Sequence, residues 1–308
     1  MASFSATTKQ ELCAVPVTAS CCAVAEAYGL MLFANLFSGT EIRMVTSLGE
    51  LAGRIPPLFV KAFGIRIGAP EQGRGGRMTF RLTAEEQLER IFNVLGYDKS
   101  RSIGCHLHQN VIEEDCCRAS FLRGAFLASG TVAGPDKKTH LEMATPHQIL
   151  SREVMSLMLD MAMQPKMGTR KSLALLYFKD TERVEDFLTL IGAPKAAMAM
   201  MQGKVEKQLR NHVNRAVNCE TANLIKASNA AAKQIVTIRH ALDECGWDIF
   251  PEAMRETVRL RLDNPDSSLS ELAAKFDPPI SKPGLSHRLR RVVTVAQQVV
   301  TEKKGEGV

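Results

Sequence analysis

Small side chains recur every fourth residue in an apolar stretch at Cys116 to Thr131, and this pattern predicts a buried helix. In a helix, Ser120, Gly124 and Ala128 form one stripe along which a second backbone can approach closely. The neighbouring positions are almost all apolar, so we expect the helix to be buried on most sides. Gly130 suits the left-handed residue that often follows a helix C-terminus.

A second copy of the pattern lies at Cys21 to Asn35, where Gly29 aligns with Gly124 at an offset of 95 residues (29 to 124). The positions that match at this offset are Cys21, Cys22, Gly29 and Leu32 with Cys116, Cys117, Gly124 and Leu127, and Ala25 with Ser120. We interpret the segments as an internal repeat whose central helices pack together as a pseudo-two-fold pair. The alternative is that two apolar helices share a few letters by coincidence.

Alternating apolar positions and helix-end signals predict further elements around these helices. The predicted strands are Glu41–Thr46, Met78–Leu82, Thr139–Ala144 and Leu173–Phe178. The predicted helices are Leu48–Phe63, Glu85–Leu95, His147–Met163 and Thr181–Ile191. Pro56 and Pro57 should kink or divide the first of these helices. Thr181 should cap the last one, and Gly192 should end it.

The C-terminal third predicts an all-helical region. Residues 193–202 are interpreted as a linker or a short helix, and Lys204–Leu242, almost free of Gly and Pro, as one long helix or a pair. Three shorter helices follow: Pro251–Leu262, a segment that begins with a capping box at Ser268–Glu271, and a basic helix capped by Ser281. A short helix, a turn and a basic helix are the pattern of a helix-turn-helix motif.

The last helix carries a basic face that is typical of nucleic-acid binding. Because Leu285 and Leu289 lie at core spacing, the basic side chains between and beyond them should point outward. The predicted DNA-binding residues of this helix are Lys282, Ser286, His287, Arg288, Arg290 and Arg291. The alternative is a basic amphipathic helix that only packs.

A polar stretch within the long predicted helix, Arg210–Asn223, is a second candidate contact with DNA. Its side chains Arg210, Asn214 and Arg215 are suited to phosphates or base edges. The alternative is an interdomain helix whose Asn side chains satisfy backbone groups.

Several of these segments resemble a known family. Leu122–Gly130 (LRGAFLASG) is similar to the LAGLIDADG helix of homing endonucleases, and Ala27–Asn35 (AYGLMLFAN) resembles a weaker first copy. Over nearly its whole length, including RNHVNRAVNCETAN at Arg210–Asn223, the chain resembles the WhiA family of bacterial sporulation and cell-division regulators.

The resemblance implies an α+β fold in which a pseudo-two-fold LAGLIDADG homing-endonuclease-like domain precedes an all-α helix-turn-helix domain. The first domain would span 1–195 as two αββαββα repeats, at about 1–100 and 101–195. A helical linker at 196–245 and the helix-turn-helix domain at 246–308 would follow.

The resemblance also bears on catalysis. In active LAGLIDADG nucleases, an acidic residue near the end of each central helix helps to bind the catalytic divalent metal ions. The matching positions here are Ala34 and Ser129, and Leu32 and Leu127 fill the other acidic position of the motif. We therefore predict no catalytic residues and no enzymatic activity. The alternative is a nuclease with displaced metal ligands.

The function implied by the resemblance is sequence-specific transcription regulation through double-stranded promoter DNA. The family's roles lie in cell division, chromosome segregation or sporulation, and in an actinobacterial host a WhiB-like iron–sulfur protein would be a partner. A third alternative is a structural nucleoid or division protein that uses the helix-turn-helix without regulating transcription.

Composition is compatible with this picture. Hydrophobic residues make up 45% and charged residues 23% of the 308 residues, as expected for a soluble protein of about two domains. The net charge of +6 permits nucleic-acid binding. The eight cysteines lack secretory spacing and no membrane segment stands out, so we expect a cytoplasmic, nucleoid-associated protein.

One cluster of Cys and His residues raises the question of zinc. Cys105, His106 and His108 are followed by the adjacent Cys116 and Cys117. No Cys-x-x-Cys spacing occurs, and the adjacent cysteines belong to the predicted buried helix. We therefore predict neither a metal site nor a cofactor.

Overall fold

The computed structural model describes residues 2–97 and 104–305, which fall into two compact units, Met1–Gln208 and Leu209–Val308. The predicted boundary between the two repeats, at residues 100 and 101, lies outside the described residues.

The first unit repeats one order of elements after an N-terminal helix, α1 (Phe4–Cys13). The first repeat comprises α2 (Ser20–Leu32), β1 (Leu36–Phe37), β2 (Ile42–Thr46), α3 (Gly49–Phe63), β3 (Glu71–Gln72), β4 (Met78–Leu82) and α4 (Glu85–Leu95). The second comprises α5 (Asp115–Ser129), β5 (Gly130–Val132), β6 (Leu141–Thr145), α6 (Gln148–Asp160), β7 (Lys166–Arg170), β8 (Leu173–Phe178) and α7 (Thr181–Ile191).

Each repeat forms a four-stranded antiparallel sheet, in the orders β1-β2-β4-β3 and β5-β6-β8-β7. Alternation decides which face is buried, since Ile42 lies opposite Leu82 in the first sheet and both are buried. Leu141 and Phe178 are the equivalent pair in the second sheet. These faces and the central helices share one hydrophobic core. The predicted α+β fold of two related LAGLIDADG-like halves is confirmed.

The central helices α2 and α5 cross at their glycines. A Cβ atom on Gly29 would lie 2.1 Å from the carbonyl oxygen of Phe121, and one on Gly124 would lie 2.0 Å from that of Glu26. The two approaches are equivalent under the repeat, because the contacted residues also align at the 95-residue offset (26 to 121). The crossing therefore lies on the pseudo-two-fold axis, and its closeness excludes any side chain at either glycine.

Gly130 does not have the predicted left-handed conformation. Its φ is −72° and its ψ is 148°, because the chain passes directly from α5 into β5. A Cβ atom at this position would lie 2.2 Å from Cδ2 of Phe126. Close packing, and not a positive φ, is the reason for glycine here.

One other local prediction is wrong, and a second is wrong in part. The N-cap of α7 is Asp180, not Thr181, since the Asp180 carboxylate accepts hydrogen bonds from the main-chain N–H groups of Glu182 and Arg183. Pro56 and Pro57 do not divide α3, which is continuous over Gly49–Phe63 and buries one whole face in the core.

The predicted helix at 204–242 is one long helix and not a pair, and it is part of α8 (Pro194–Cys245), which also includes most of the segment predicted as a linker or a short helix. Glu11 caps its N-terminus, accepting hydrogen bonds from the main-chain N–H groups of Lys195 (2.7 Å) and Ala196 (3.0 Å). Residues 208–230 of α8 are all exposed. Further along, Ile238 and Ala241 are fully buried in the core of the second unit.

The second unit continues with α9 (Glu252–Asp263), α10 (Leu269–Ala274) and α11 (Lys282–Gly305). Apolar residues of the C-terminal part of α8 pack with α9 and α11, and α10 packs against the start of α11. Two hydrophobic clusters, one with α8 and α9 and one with α10, therefore hold the basic helix α11 in place.

Candidate nucleic-acid interface

The helix-turn-helix motif consists of α10, the turn at 275–281 and α11. The predicted capping box is present: the main-chain N–H of Glu271 donates to Ser268 Oγ (3.3 Å), and that of Ser268 donates to Glu271 Oε2 (2.8 Å). The N–H of Ile280 donates to the carbonyl oxygen of Ala273 at 3.1 Å. The capping box fixes where α10 begins, and the bond between Ile280 and Ala273 holds the turn that leads into α11.

Apolar positions on one face hold α11 in the unit. The fully buried residues of this helix are Leu285, Leu289, Val292 and Ala296. The first two pack with Leu272 and Phe276 of the motif, whereas the last two pack with α8 and α9. The inward face is fixed over about three turns, and this determines which side chains face solvent.

The outward face of α11 is basic. Lys282, His287, Arg288, Arg290 and Arg291 are exposed, and Ser286 is half-buried. The sequence contains no acidic residue between Asp277 and Glu302. The positive charge of this face is therefore not offset within the helix, and such a face attracts a polyanion.

The basic residues of α11 differ in position. His287, Arg290 and Arg291 lie opposite the buried leucines, at the centre of the exposed face. The Arg288 guanidinium lies over the Phe276 ring, 5.5 Å from its centroid, at the edge next to the turn. Lys282 is the first residue of the helix. Central side chains suit groove contacts, and those at the edges suit phosphates.

The polar residues predicted on α8 lie apart from the packed motif. Arg210, Asn214 and Arg215 belong to the fully exposed stretch at 208–230, so the core of the second unit does not hold them. Arg210 and Asn214 are one helical turn apart and share a side of α8. They are accessible to a ligand, but their spacing alone gives no contact with the exposed face of α11.

The former acid positions of the LAGLIDADG motif line a small cavity of about 200 Å³ at the C-terminal ends of α2 and α5. Ala34 and Ser129 lie on its wall, and the Ser129 hydroxyl donates to the carbonyl oxygen of Ala125 (3.3 Å). The other residues of the wall are Leu30, Phe33, Asn35, Met44, Val45, Thr46, Leu51, Ile55 and Ala128. This set has no carboxylate, which a Mg²⁺ site for phosphodiester hydrolysis needs.

Sequence reasoning missed a buried ion-pair network at the central helices. Arg54 and Arg123 both donate to Glu26, with 2.6 Å from Arg54 Nε to Oε1 and 2.8 Å from Arg123 Nε to Oε2. Their Nη1 groups donate to the carbonyl oxygens of Cys13 and Val15 (from Arg54) and of Ile191 (from Arg123). The only signal in the sequence was an acidic residue within an apolar run.

The open faces of the two sheets mix acids with bases. Glu142 accepts from Arg170 Nη2 (2.7 Å) and lies 2.9 Å from His140 Nε2. Burial acts to raise the pKa of Glu142, but hydrogen bonds from His140 and Arg170 outweigh it, so the pKa is lowered. On the first sheet, Arg81 Nη1 lies 3.4 Å from Glu41 Oε1. These faces are less suited to a polyanion than α11.

Within residues 2–97 and 104–305, no helix is both long enough and apolar enough to cross a membrane.

Comparison with known proteins follows the same division of the chain. Residues 118–210 match the model of the WhiA LAGLIDADG-like domain, and residues 213–296 match that of the WhiA C-terminal HTH domain. "Probable cell division protein WhiA" of Carboxydothermus hydrogenoformans is 36% identical over 304 residues, which cover 96% of this chain and 98% of the relative. Its namesake in Moorella thermoacetica is 34% identical over 311 residues, covering 99% and 94%.

A solved structure shares the fold. The crystal structure of full-length DUF199/WhiA from Thermotoga maritima has a TM-score of 0.60 and 22% sequence identity, and the match covers 96% of this chain and 99% of that one.

Proposed function

Since this chain belongs to the WhiA family and carries that family's helix-turn-helix domain, we propose that it is a sequence-specific DNA-binding transcription regulator. The genes that it regulates would include cell-division genes, in keeping with the name of its relatives. Genes of chromosome segregation or sporulation are further candidate targets. The ligand is double-stranded promoter DNA. A WhiB-like partner stays a prediction for an actinobacterial host.

The observation that carries the proposal is the basic outward face of α11. Its buried face is fixed by Leu285 and Leu289, and Ser281 caps its start by accepting a hydrogen bond from the main-chain N–H of Gly284, so Arg290 and His287 are presented on a rigid element. A helix held in this way can enter the major groove, where an arginine can donate two hydrogen bonds to guanine O6 and N7. Lys282 and Arg288 would neutralise phosphates on either side.

We further propose that the LAGLIDADG-like unit does not cut DNA. Ala34 and Ser129 leave the ends of the central helices without metal-binding carboxylates, and no residue on the wall of the cavity between them is acidic. The network around Glu26 has a structural role, because it joins the two repeats of this unit.

Chromatin immunoprecipitation with sequencing tests the regulator proposal. Sharp peaks at promoters that share one motif, lost when Arg290 is changed to Ala, are the expected result. Diffuse coverage of the chromosome would instead support a structural nucleoid protein, and the proposal would be wrong.

A further inference from the structure

Each central helix of the first unit begins with two adjacent cysteines, and the fold brings both pairs together. Cys21 and Cys22 lie in the first turn of α2, and Cys116 and Cys117 lie in the first turn of α5. All four Sγ atoms are within 4.8 Å of one another. The Sγ atoms of Cys116 and Cys117 are 4.0 Å apart.

The pseudo-two-fold axis explains this gathering. The 95-residue offset that relates Gly29 to Gly124 also relates Cys21 to Cys116 and Cys22 to Cys117. Because the helices cross tightly at the glycines, their first turns remain close at one end. Each pair then supplies one edge of a four-sulfur group, and four sulfurs that all lie within 4.8 Å of one another suit the corners of a tetrahedron.

The dimensions suit a tetrahedral metal thiolate. With Zn–S bonds of about 2.3 Å, the sulfurs of a regular tetrahedron are about 3.8 Å apart. The four thiols therefore need to close by about 1 Å at most, which side-chain rotation in a first helical turn can supply. Hard cations such as Mg²⁺ avoid sulfur ligands, whereas four thiolates select Zn²⁺ or a similar soft cation.

The surroundings allow metal entry. The N-termini of two helices point their main-chain N–H groups and partial positive charge toward this end of the helices, which acts to stabilise thiolate sulfur, whereas burial raises the pKa of Cys22 and Cys117. Cys21 and Cys116 are exposed, Cys22 is half-buried and Cys117 is buried. An ion can therefore arrive from solvent and lose water on its inner side.

A supporting shell links these turns to the buried network. The Ser120 hydroxyl donates to the carbonyl oxygen of Cys116 (2.8 Å) and accepts from Arg123 Nη2 (3.0 Å). Arg123 in turn binds Glu26 of α2. Ser120 and Arg123 thus link the first turn of α5 to α2, and this link restricts where the sulfurs of Cys116 and Cys117 lie.

We propose that Cys21, Cys22, Cys116 and Cys117 form a tetrathiolate site for a zinc-class divalent cation. The ion clamps the N-terminal ends of the two central helices and so joins the two repeats. The site shares Cys116 and Cys117 with the Cys and His cluster considered in the sequence but does not include its histidines. His106 Nδ1 lies 3.0 Å from Glu153 Oε1, and the His108 ring packs at a tilt of 49° against the Tyr97 ring with 4.2 Å between centroids.

Cobalt titration of the full-length protein tests the site. The protein is stripped with a chelator and kept reduced with a phosphine, and then receives Co²⁺ alone. We expect one Co²⁺ per chain, with the strong visible d–d bands and the thiolate-to-metal charge-transfer band of tetrahedral cobalt with four sulfurs. Zn²⁺ should displace Co²⁺, raise the melting temperature, and protect these four cysteines, out of eight, from alkylation as read by mass spectrometry.

Two exposed positions give variants with little risk to the fold. Cys21→Ser and Cys116→Ser should each weaken Zn²⁺ binding at least about tenfold, since even the loss of a supporting group commonly costs that much. Cys219→Ser, also an exposed cysteine on a helix, is the matched control and should bind as the parent does.

Three results would overturn the proposal. The first is a folded, fully reduced protein that shows no four-sulfur cobalt spectrum. The second is unchanged Co²⁺ binding in folded Cys21→Ser. The third is a disulfide between α2 and α5 as the form isolated without exposure to oxygen.

Discussion

Glu26 in the first repeat and Arg123 in the second form a buried ion pair across the central helices, with 2.8 Å between Oε2 and Nε. At the 95-residue offset, Glu26 aligns with Phe121 and Arg123 with Tyr28, so the pair has no counterpart on the other side of the pseudo-two-fold axis. Arg54 Nε lies 2.6 Å from the other carboxylate oxygen. One carboxylate thus joins α2, α3 and α5 where the repeats meet.

Glu26→Gln should lower the free energy of unfolding by about 3–5 kcal/mol, because two buried guanidinium groups lose their charged partner. Urea denaturation measures the change. Glu182→Gln is the matched control: Glu182 pairs with Lys204 on the surface, and the loss of this pair should change the free energy of unfolding little. Similar small effects for both variants would show that the buried network does not stabilise the unit.

Gly29→Ala and Gly124→Ala should each destabilise the protein by about 2 kcal/mol or more, because the added methyl group meets main-chain oxygen at the helix crossing. Gly53→Ala in α3 is the control, since a Cβ atom there has nothing within 4 Å. It should be neutral or raise stability by up to about 1 kcal/mol. Thermal melting that leaves the first two variants unchanged would contradict the close crossing.

Local patterns were sufficient to predict several elements to the residue. The observed bounds of β4, β8, α4 and α7 equal the predicted ones, because alternation and helical periodicity are properties of neighbouring residues. The capping box at Ser268 and Glu271 was predicted for the same reason. The short strands β1 and β5 carried no such periodicity, and the pairing with β2 and β6 creates them.

The features that depend on distant residues could not be predicted in this way. Glu26 and Arg123 are 97 residues apart, so nothing in either segment identifies the other as a partner. The four sulfurs meet only because the helices cross at glycines, and adjacent cysteines lack the usual spacing of a zinc site. The predicted DNA-binding residues of α11 and α8 await experiment.

Lys9 should make the free energy of unfolding rise with pH in the alkaline range. Its Nζ donates to the carbonyl oxygen of Leu127 (3.0 Å), and burial lowers its pKa from 10.5 to about 8. Between pH 8 and 10.5 the unfolded chain binds the proton more strongly than the folded one, so this group adds stability as pH rises. The free energy of unfolding of Lys9→Met should lack that increase. If the parent and Lys9→Met differ by the same unfolding free energy at every pH in this window, the lowered pKa of Lys9 is wrong.

Purified protein should leave supercoiled plasmid DNA intact in Mg²⁺ or Mn²⁺, because Ala34 and Ser129 replace the metal-binding acids. Agarose electrophoresis over several hours reads the result. Nicking that persists through repurification and stops with a chelator would establish a nuclease and refute the proposed absence of activity.

Lys282→Ala and Arg288→Ala should weaken binding to every DNA sequence, because these edge residues neutralise phosphates. Each change should reduce the slope of log K against log salt by about 1. Fluorescence anisotropy at several salt concentrations gives this slope. Lys195→Ala removes an exposed charge in the first unit and is the control, for which the slope should stay the same.

The most direct test of sequence recognition by α11 compares the parent protein with Arg290→Ala on two duplexes. One is the operator, which is the motif shared by the promoter peaks from chromatin immunoprecipitation, and the other is a scrambled sequence of the same composition. Arg290 lies at the centre of the exposed face, so its loss should cost about 1–3 kcal/mol on the operator and little on the scrambled duplex. Fluorescence anisotropy at one fixed salt concentration measures both affinities. Equal losses of affinity on the two duplexes, or unchanged operator binding, would contradict the assignment of α11 as the recognition helix.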